Sequence, residues 1–319
     1  MVALKKGDAP MFIPLGRIRR SLFGLSAAET ALTDRGFYRG SQQAQDQFQR
    51  IIYAFVQGYH MALEDHRLEE LAPRLQEIDS EFRGFAFEGA ALELTCLDYF
   101  CPWKRRFQAF ACGPGGNHIY ELYIGAGWTL GRLPRSTGQF LNQFDPLLRW
   151  LAVDGYGFSA GFSSWRRFLQ DQALPPRLSG YALRAFDQGL GRSLWFVKGA
   201  DAAQIITAIQ AFPRYRQRDL WSGVGVACAY AGGGEPGAIR ALGDAAKAHR
   251  PHLAQGSAFA AMARKRAGNP MSYTNLTCEV FSGRSIEETV KITYESMHGL
   301  PQHEGTYELW RSQVRTRLA

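Results

Sequence analysis

The chain is short of the features that would classify it at once. Its 319 residues contain five cysteines, Cys96, Cys101, Cys112, Cys228 and Cys278, an odd number with no C-x-x-C pair. A disulfide framework is therefore excluded, and reduced thiols in a cytoplasmic protein fit best. Cys96, Cys101, Cys112 and His118 follow one another at intervals of five, eleven and six residues, which matches no zinc pattern, so no metal is expected. No stretch approaches the about 18 apolar residues of a membrane span, and MVALKKGDAPMFIPLGRIRR has neither the apolar core nor the cleavage site of a secretory signal. Phosphate loops are missing too. GPGG at 113–116 and GGG at 232–234 are not followed by a Lys-Ser/Thr pair, and Gly189-Leu-Gly191-Arg192-Ser193 lacks the third glycine of a dinucleotide fingerprint. No cofactor is expected. G-x-S-x-G elbows and H-E-x-x-H are absent, and Ser222 and Ser257 sit in helical patterns as packing residues. Basic residues outnumber acidic ones, 37 to 29, for a net charge of +8. They are scattered and do not interleave with aromatics, so no nucleic-acid partner is expected.

What the chain has is apolar material, 46% hydrophobic and 13% aromatic residues, and 34 glycines in a pattern. Strand-like alternation is nearly confined to GNHIYELYIGAGW, whose spacing favours a helix. From Gln42 onward the sequence alternates between segments rich in glycine, alanine and aromatics and ordinary amphipathic ones. The first kind are centred on Gly58, Gly89, Gly125, Gly157, Gly191, Gly225 and Gly256, at steps of 31, 36, 32, 34, 34 and 31 residues. The second kind include DPLLRWLAV, started by Asp145 and Pro146, and AAQIITAIQAF, capped by Asp201 and stopped by Pro213. A helical pair repeating every 33 residues or so is the signature of an α-solenoid. The expectation is an all-α, TPR-like superhelix of about seven antiparallel helix pairs. A compact helical domain with a looser pseudo-repeat is the alternative. Residues 1–24 read as a basic leader, 25–268 as the repeat domain, and 269–319 as C-terminal capping helices. Capping boxes are expected at Ser26–Glu29 and Ser285–Glu288.

Polar residues embedded in the small-residue helices are the candidates for chemistry. Glu88, Asp187 and Arg192 are the catalytic candidates, because a carboxyl among apolar groups has its ionised form disfavoured unless a cation neutralises it. His60, Tyr120, Trp128, Asp154, Tyr156, Trp195 and Trp221 are the candidate ligand-binding residues on neighbouring rungs. The competing reading is structural, with Arg192 and one carboxylate tying neighbouring helices together.

At FRGFAFEGAALEL, DPLLRWLAVDGYGF, FDQGLGRSLWFVKGAD and DLWSGVGVACAYAGG the chain resembles the UnbL-type bacterial proteins, from about Leu25 to Trp310. These form a family of unknown function often encoded beside enediyne polyketide synthases. The resemblance implies a bacterial, cytoplasmic accessory protein of specialised metabolism and transfers no catalytic residue. The expected function is to bind a polyketide-derived, apolar, unsaturated small molecule in an aromatic-lined groove, with a cofactor-independent cyclisation or isomerisation as its enzymatic form. The alternative is a non-catalytic scaffold contacting the polyketide synthase or a carrier protein. RNA binding is a third class, and it would need basic first helices where these are mostly apolar.

Overall fold

The computed structural model describes residues 20, 24, 35–134, 136–301, 303 and 305–319, and the capping box expected at Ser26–Glu29 lies outside them. Among the described residues the protein is all-helical, with no strand. The helices are α1 (Gln42–Glu64), α2 (Leu68–Gln76), α3 (Ser80–Phe100), α4 (Arg106–Cys112), α5 (Ile119–Gly127), α6 (Thr137–Leu141), α7 (Arg149–Ser163), α8 (Tyr181–Val197), α9 (Ala202–Ala211), α10 (Arg214–Ala231), α11 (Pro236–Ala246), α12 (Arg250–Arg266), α13 (Ser272–Ser282), α14 (Ile286–Glu295) and α15 (Thr306–Leu318). Side chains that accept hydrogen bonds from free N–H groups mark several starts: Ser41 from Ala44, Asp79 from Glu81, Asp201 from Gln204. Ser285 and Glu288 form the reciprocal capping box that opens α14.

The glycine-marked helices α1, α3, α5, α7, α8, α10 and α12 pack successively side by side, and shorter elements link them along the outside. The glycines explain how closely. A Cβ at any of the seven positions 58, 89, 125, 157, 191, 225 and 256 would stand 1.9–2.1 Å from a carbonyl oxygen of a neighbouring helix, far inside van der Waals contact. Helix α7 shows the device twice over. Gly155 sits against Ile124 of α5 and Gly157, two residues on, against Phe186 of α8, so one helix meets a neighbour on each side. Such glycines weaken an isolated helix by up to about 1 kcal/mol each, and close packing of backbones offsets this.

One expected partner helix does not exist separately. DPLLRWLAV runs on into GYGFSAGF, and residues 149–163 make the single helix α7. Asp145 still organises its entry, accepting from the N–H groups of Leu147 and Leu148, but it closes a turn ahead of the helix instead of capping it. With no breaker between Val153 and Gly157, and both glycines seated on neighbours, nothing interrupts the helix. The link from α7 to α8 is then a π-helical turn, Arg166–Gln170, and loop.

The row of inner helices bends back on itself. Phe48 of α1 packs on Phe196 of α8 with centroids 4.6 Å apart, and Gln47 of α1 donates to the Ala231 carbonyl of α10 at 3.0 Å. Helix α12 passes over α3 and α5: Arg264 donates to the Glu81 carbonyl at 2.7 Å, and the Tyr120 hydroxyl lies 3.6 Å from Met262 Sδ. Helix α15 covers the α8–α10–α12 side, with Trp310 stacked on Phe259.

Candidate functional site

Where the row closes, side chains from opposite helices converge on a partly enclosed cavity of about 360 Å³. Helical spacing supplies its walls. Phe85 and Glu88 of α3 are three apart, Phe158 and Phe162 of α7 four apart, and Arg192 and Phe196 of α8 four apart, so each pair projects from one face. Ile52 and Phe55 of α1, Trp128 of the turn after α5, and Tyr230 of α10 complete the lining. A second cavity of about 40 Å³ adjoins it, and Glu88, Arg192 and Tyr230 line both.

The polar groups between the two cavities form a connected system. Arg192 Nη1 donates to Asp154 Oδ1 at 2.6 Å, and Gln188 Nε2 donates to Asp154 Oδ2 at 2.6 Å. The chain extends through Ser222, whose hydroxyl lies 3.0 Å from Gln188 Oε1 and 3.1 Å from Gln255 Oε1. Glu88 stands apart from this system. Among the described residues its one hydrogen-bond donor is the Trp128 indole, 3.1 Å from Oε1. Burial pushes the Glu88 carboxyl up to about 7; Arg192 and the Trp128 bond pull it down, and Glu121 and Asp154 add to the rise. A carboxyl in that range is both proton donor and acceptor at neutral pH.

Glu121 and Tyr230 are a further pair that sequence reasoning missed. The Tyr230 hydroxyl donates to Glu121 Oε1 at 2.5 Å across the ring of helices, and burial and the Glu121 charge hold the phenol well above its usual range. Gly84 makes room for it, since a Cβ there would stand 2.0 Å from the Tyr230 hydroxyl oxygen. Gly84→Ala should therefore break this bond and cost about 1–3 kcal/mol in urea unfolding, the penalty of leaving buried polar groups unpaired. Tyr230→Phe added to Gly84→Ala should then cost much less than Tyr230→Phe alone. Additive costs would show that Gly84 does not seat the hydroxyl.

The sequence candidates divide. Glu88, Arg192, Trp128, Tyr120 and Asp154 line one or both cavities. Asp187 lines neither; Arg216 of α10 grips it with Nη2 2.6 Å and Nε 3.0 Å from its carboxylate, and burial raises it to about 6 against that pull. Trp195 is fully buried, its indole donating to the Gly232 carbonyl at 2.8 Å. Trp221 is buried in the core, Tyr156 packs edge-on against Phe186, and His60 is half-buried beside Tyr59, all outside the two cavities. Of the charged candidates Glu88, Asp154, Asp187 and Arg192, three thus meet, at the smaller cavity. Glu121 carried a usable signal, an acid inside the apolar run ELYIGAGW, as Glu88 is inside FRGFAFEGAAL. Tyr230 carried none.

The fold and the site together define an all-helical protein built around an aromatic-rich cavity, with the buried carboxyl of Glu88 on its wall and a buried Arg192–Asp154–Gln188 system beside it. The chain belongs to the family described as a protein of unknown function, DUF1702, whose family model matches residues 14–318. No curated protein and no solved structure matches it.

Proposed function

We propose that the protein binds an apolar, unsaturated biosynthetic intermediate in the 360 Å³ cavity and uses Glu88 as general acid–base in a cofactor-independent cyclisation or isomerisation. The observation that carries this reading is Glu88 itself, a carboxyl raised to about 7 by burial and placed on the wall of a cavity whose lining is rich in aromatic rings. Such rings stack on conjugated systems and bury large area. Arg192, fixed by Asp154, supplies a positive charge where charge develops on a substrate losing a proton. Reading the succession of glycine-matched helices as a short, tightly wound solenoid agrees with this, because such winding makes an interior. The setting, maturation of an enediyne-type polyketide in the cytoplasm, rests on the resemblance to UnbL-type proteins. A scaffold that contacts a synthase or carrier protein would be better served by a broad exposed face than by an aromatic interior.

In the native host, Glu88→Gln should abolish formation of the mature polyketide core, while the purified variant keeps its helical circular dichroism. Unchanged product titres would sink the catalytic reading.

A further inference from the structure

The Arg192 guanidinium is buried but only partly used. The residue is 6% exposed, and among the described residues it makes one hydrogen bond, from Nη1 to Asp154 Oδ1 at 2.6 Å. Both Asp154 oxygens are engaged, the other accepting from Gln188 at 2.6 Å. Phe158 supports Arg192 from one side, its ring centre 4.9 Å from the guanidinium carbon. The remaining N–H groups are not sealed in protein; they open onto the cavities that Arg192 lines. Glu88 repeats the arrangement, with Oε1 taken by the Trp128 indole and Oε2 open to the same space. Arg192 acts on Glu88 by its charge, and among the described residues no hydrogen bond joins the two.

A buried guanidinium with free donors constrains what can fill the space before it. A wholly apolar ligand would strip those N–H groups of water and offer no acceptor in return, which is costly for a charged group. A carboxylate fares no better. Asp154 already balances Arg192, and a further negative charge would lie among Glu88, Glu121 and Asp154, which line the smaller cavity together. What fits is a neutral ligand, apolar over most of its length, with an acceptor oxygen at Arg192. Glu88 adds a second requirement. A carboxyl facing the same space can take a proton from carbon only where that C–H is acidic, and a carbonyl makes it so by receiving the charge.

We propose that the ligand is an unsaturated ketone, with its oxygen on the free N–H groups of Arg192, its chain on the aromatic walls and its α-carbon at Glu88. This deepens the proposed function and rests on its placing of the ligand in this cavity. In the step that follows, ionised Glu88 takes a proton from the carbon between the carbonyl and a β,γ double bond. The electron pair passes to the oxygen, where Arg192 meets the charge of the dienolate. The Glu88 carboxyl then returns the proton at the γ-carbon, and the double bond moves into conjugation with the carbonyl. One C–H bond breaks and another forms, nothing is oxidised or reduced, and Glu88 ends as it began.

The test uses cinnamylideneacetone, a conjugated dienone with an enolisable methyl group, and its counterpart with a methylene in place of the carbonyl, each titrated into the full chain. The ketone is expected to bind at least roughly tenfold more tightly, the worth of a hydrogen bond from a charged donor. Its absorption band should move to longer wavelength than in hydrocarbon solvent, and by more than the counterpart's, because a hydrogen-bonded carbonyl draws charge along the chain. In heavy water the wild type should exchange the methyl hydrogens of the ketone for deuterium, whereas Glu88→Gln should bind the ketone without exchanging them. Arg192→Met should abolish both the preference and the band shift. It leaves Asp154 unpaired in the core, so if it does not fold, the wild-type spectrum decides. Equal binding of ketone and counterpart, or a ketone preference without the band shift, would overturn the assignment of the oxygen to Arg192 while leaving the cavity reading in place. Preference and shift without exchange would overturn the proton step at Glu88. Failure of both compounds to bind would remove the cavity reading and this proposal together.

Discussion

Arg311→Ala should lower the free energy of unfolding by about 3–5 kcal/mol, the range for removing one partner of a buried ion pair. Arg311 comes from α15 and is fully buried, yet nearly every nitrogen position is used. Nη2 donates to Asp219 at 3.0 Å, Nε to Gln255 at 3.0 Å, and Nη1 to the Tyr181 hydroxyl at 3.2 Å. One side chain thus ties the last helix to α8, α10 and α12 at once. Without it, the Asp219 carboxylate, itself only 1% exposed, is left to Arg184 and Arg218 from the rim. Burial opposes the Asp219 charge, but Arg311 and Arg184 outweigh it and hold the carboxyl below its usual value. Arg311→Lys should recover only part of the loss, because an ammonium cannot reproduce a planar fork that meets three partners. Urea unfolding at pH 7 followed by circular dichroism decides it; a loss under about 1 kcal/mol for the alanine variant would mean that α15 is held by Trp310 and its apolar neighbours alone.

The same cluster has a pH arm. Glu308 sits between Arg311, Arg315 and Arg184, which outweigh its burial and hold it near 2 against an ordinary value of 4.5. Its folded state resists protonation, so its contribution is present above about pH 4.5 and is lost as pH falls toward 2. The C-terminal clamp should therefore weaken on the acid side.

How much of this was legible in the chain depends on the kind of residue. The ladder glycines could be read because a glycine inside a helix has few uses, and close approach of backbones is one that repeats with the helices. The terminal helix could be read because TYELWRSQVRTRL has helical spacing throughout, and it is α15 residue for residue. Long-range partners could not. Asp154 and Asp187 look alike in sequence, each an acid in a small-residue helix. What separates them is Arg216, 29 residues beyond Asp187, which takes that carboxylate away from the cavities. Trp128 and Trp195 look alike too, until the carbonyl of Gly232 claims one indole and Glu88 the other. Tyr230 reaches Glu121 from 109 residues away, and only the closure of the row on itself brings them together. FDQGLGRSLWF accordingly contributes Arg192 to the site, while Asp187 and Trp195 hold helices in place.

Glu88→Gln should stabilise the protein above about pH 4.5, by an amount that grows as pH rises to about 7. The Glu88 carboxyl keeps its proton in the folded state until about 7, whereas in the unfolded chain it loses it near 4.5. Between those values unfolding releases a proton, so stability falls as pH rises through that window, and above it the whole cost of an ionised buried carboxylate is present. The difference of roughly 2.5 units corresponds to on the order of 3 kcal/mol. Glutamine keeps an oxygen for the Trp128 indole and the same shape, but cannot ionise, so it escapes this cost. The variant and the wild type should melt together near pH 4, separate progressively from about pH 4.5 to about 7 with the variant higher, and keep a constant difference above that. Asp187, which also titrates upward to about 6, is present in both proteins and cancels from the comparison. A difference that does not change with pH would show that Glu88 is not the group that titrates. The sign of the effect also bears on what the residue is for. Asp219 stabilises the fold when ionised through Arg311, and Asp187, though its carboxyl is raised, has Arg216 as its ionic partner, whereas among the described residues no guanidinium hydrogen-bonds to Glu88. A carboxylate that weakens the fold at the pH where it is charged, beside an aromatic cavity, is the pattern of a residue retained for its chemistry.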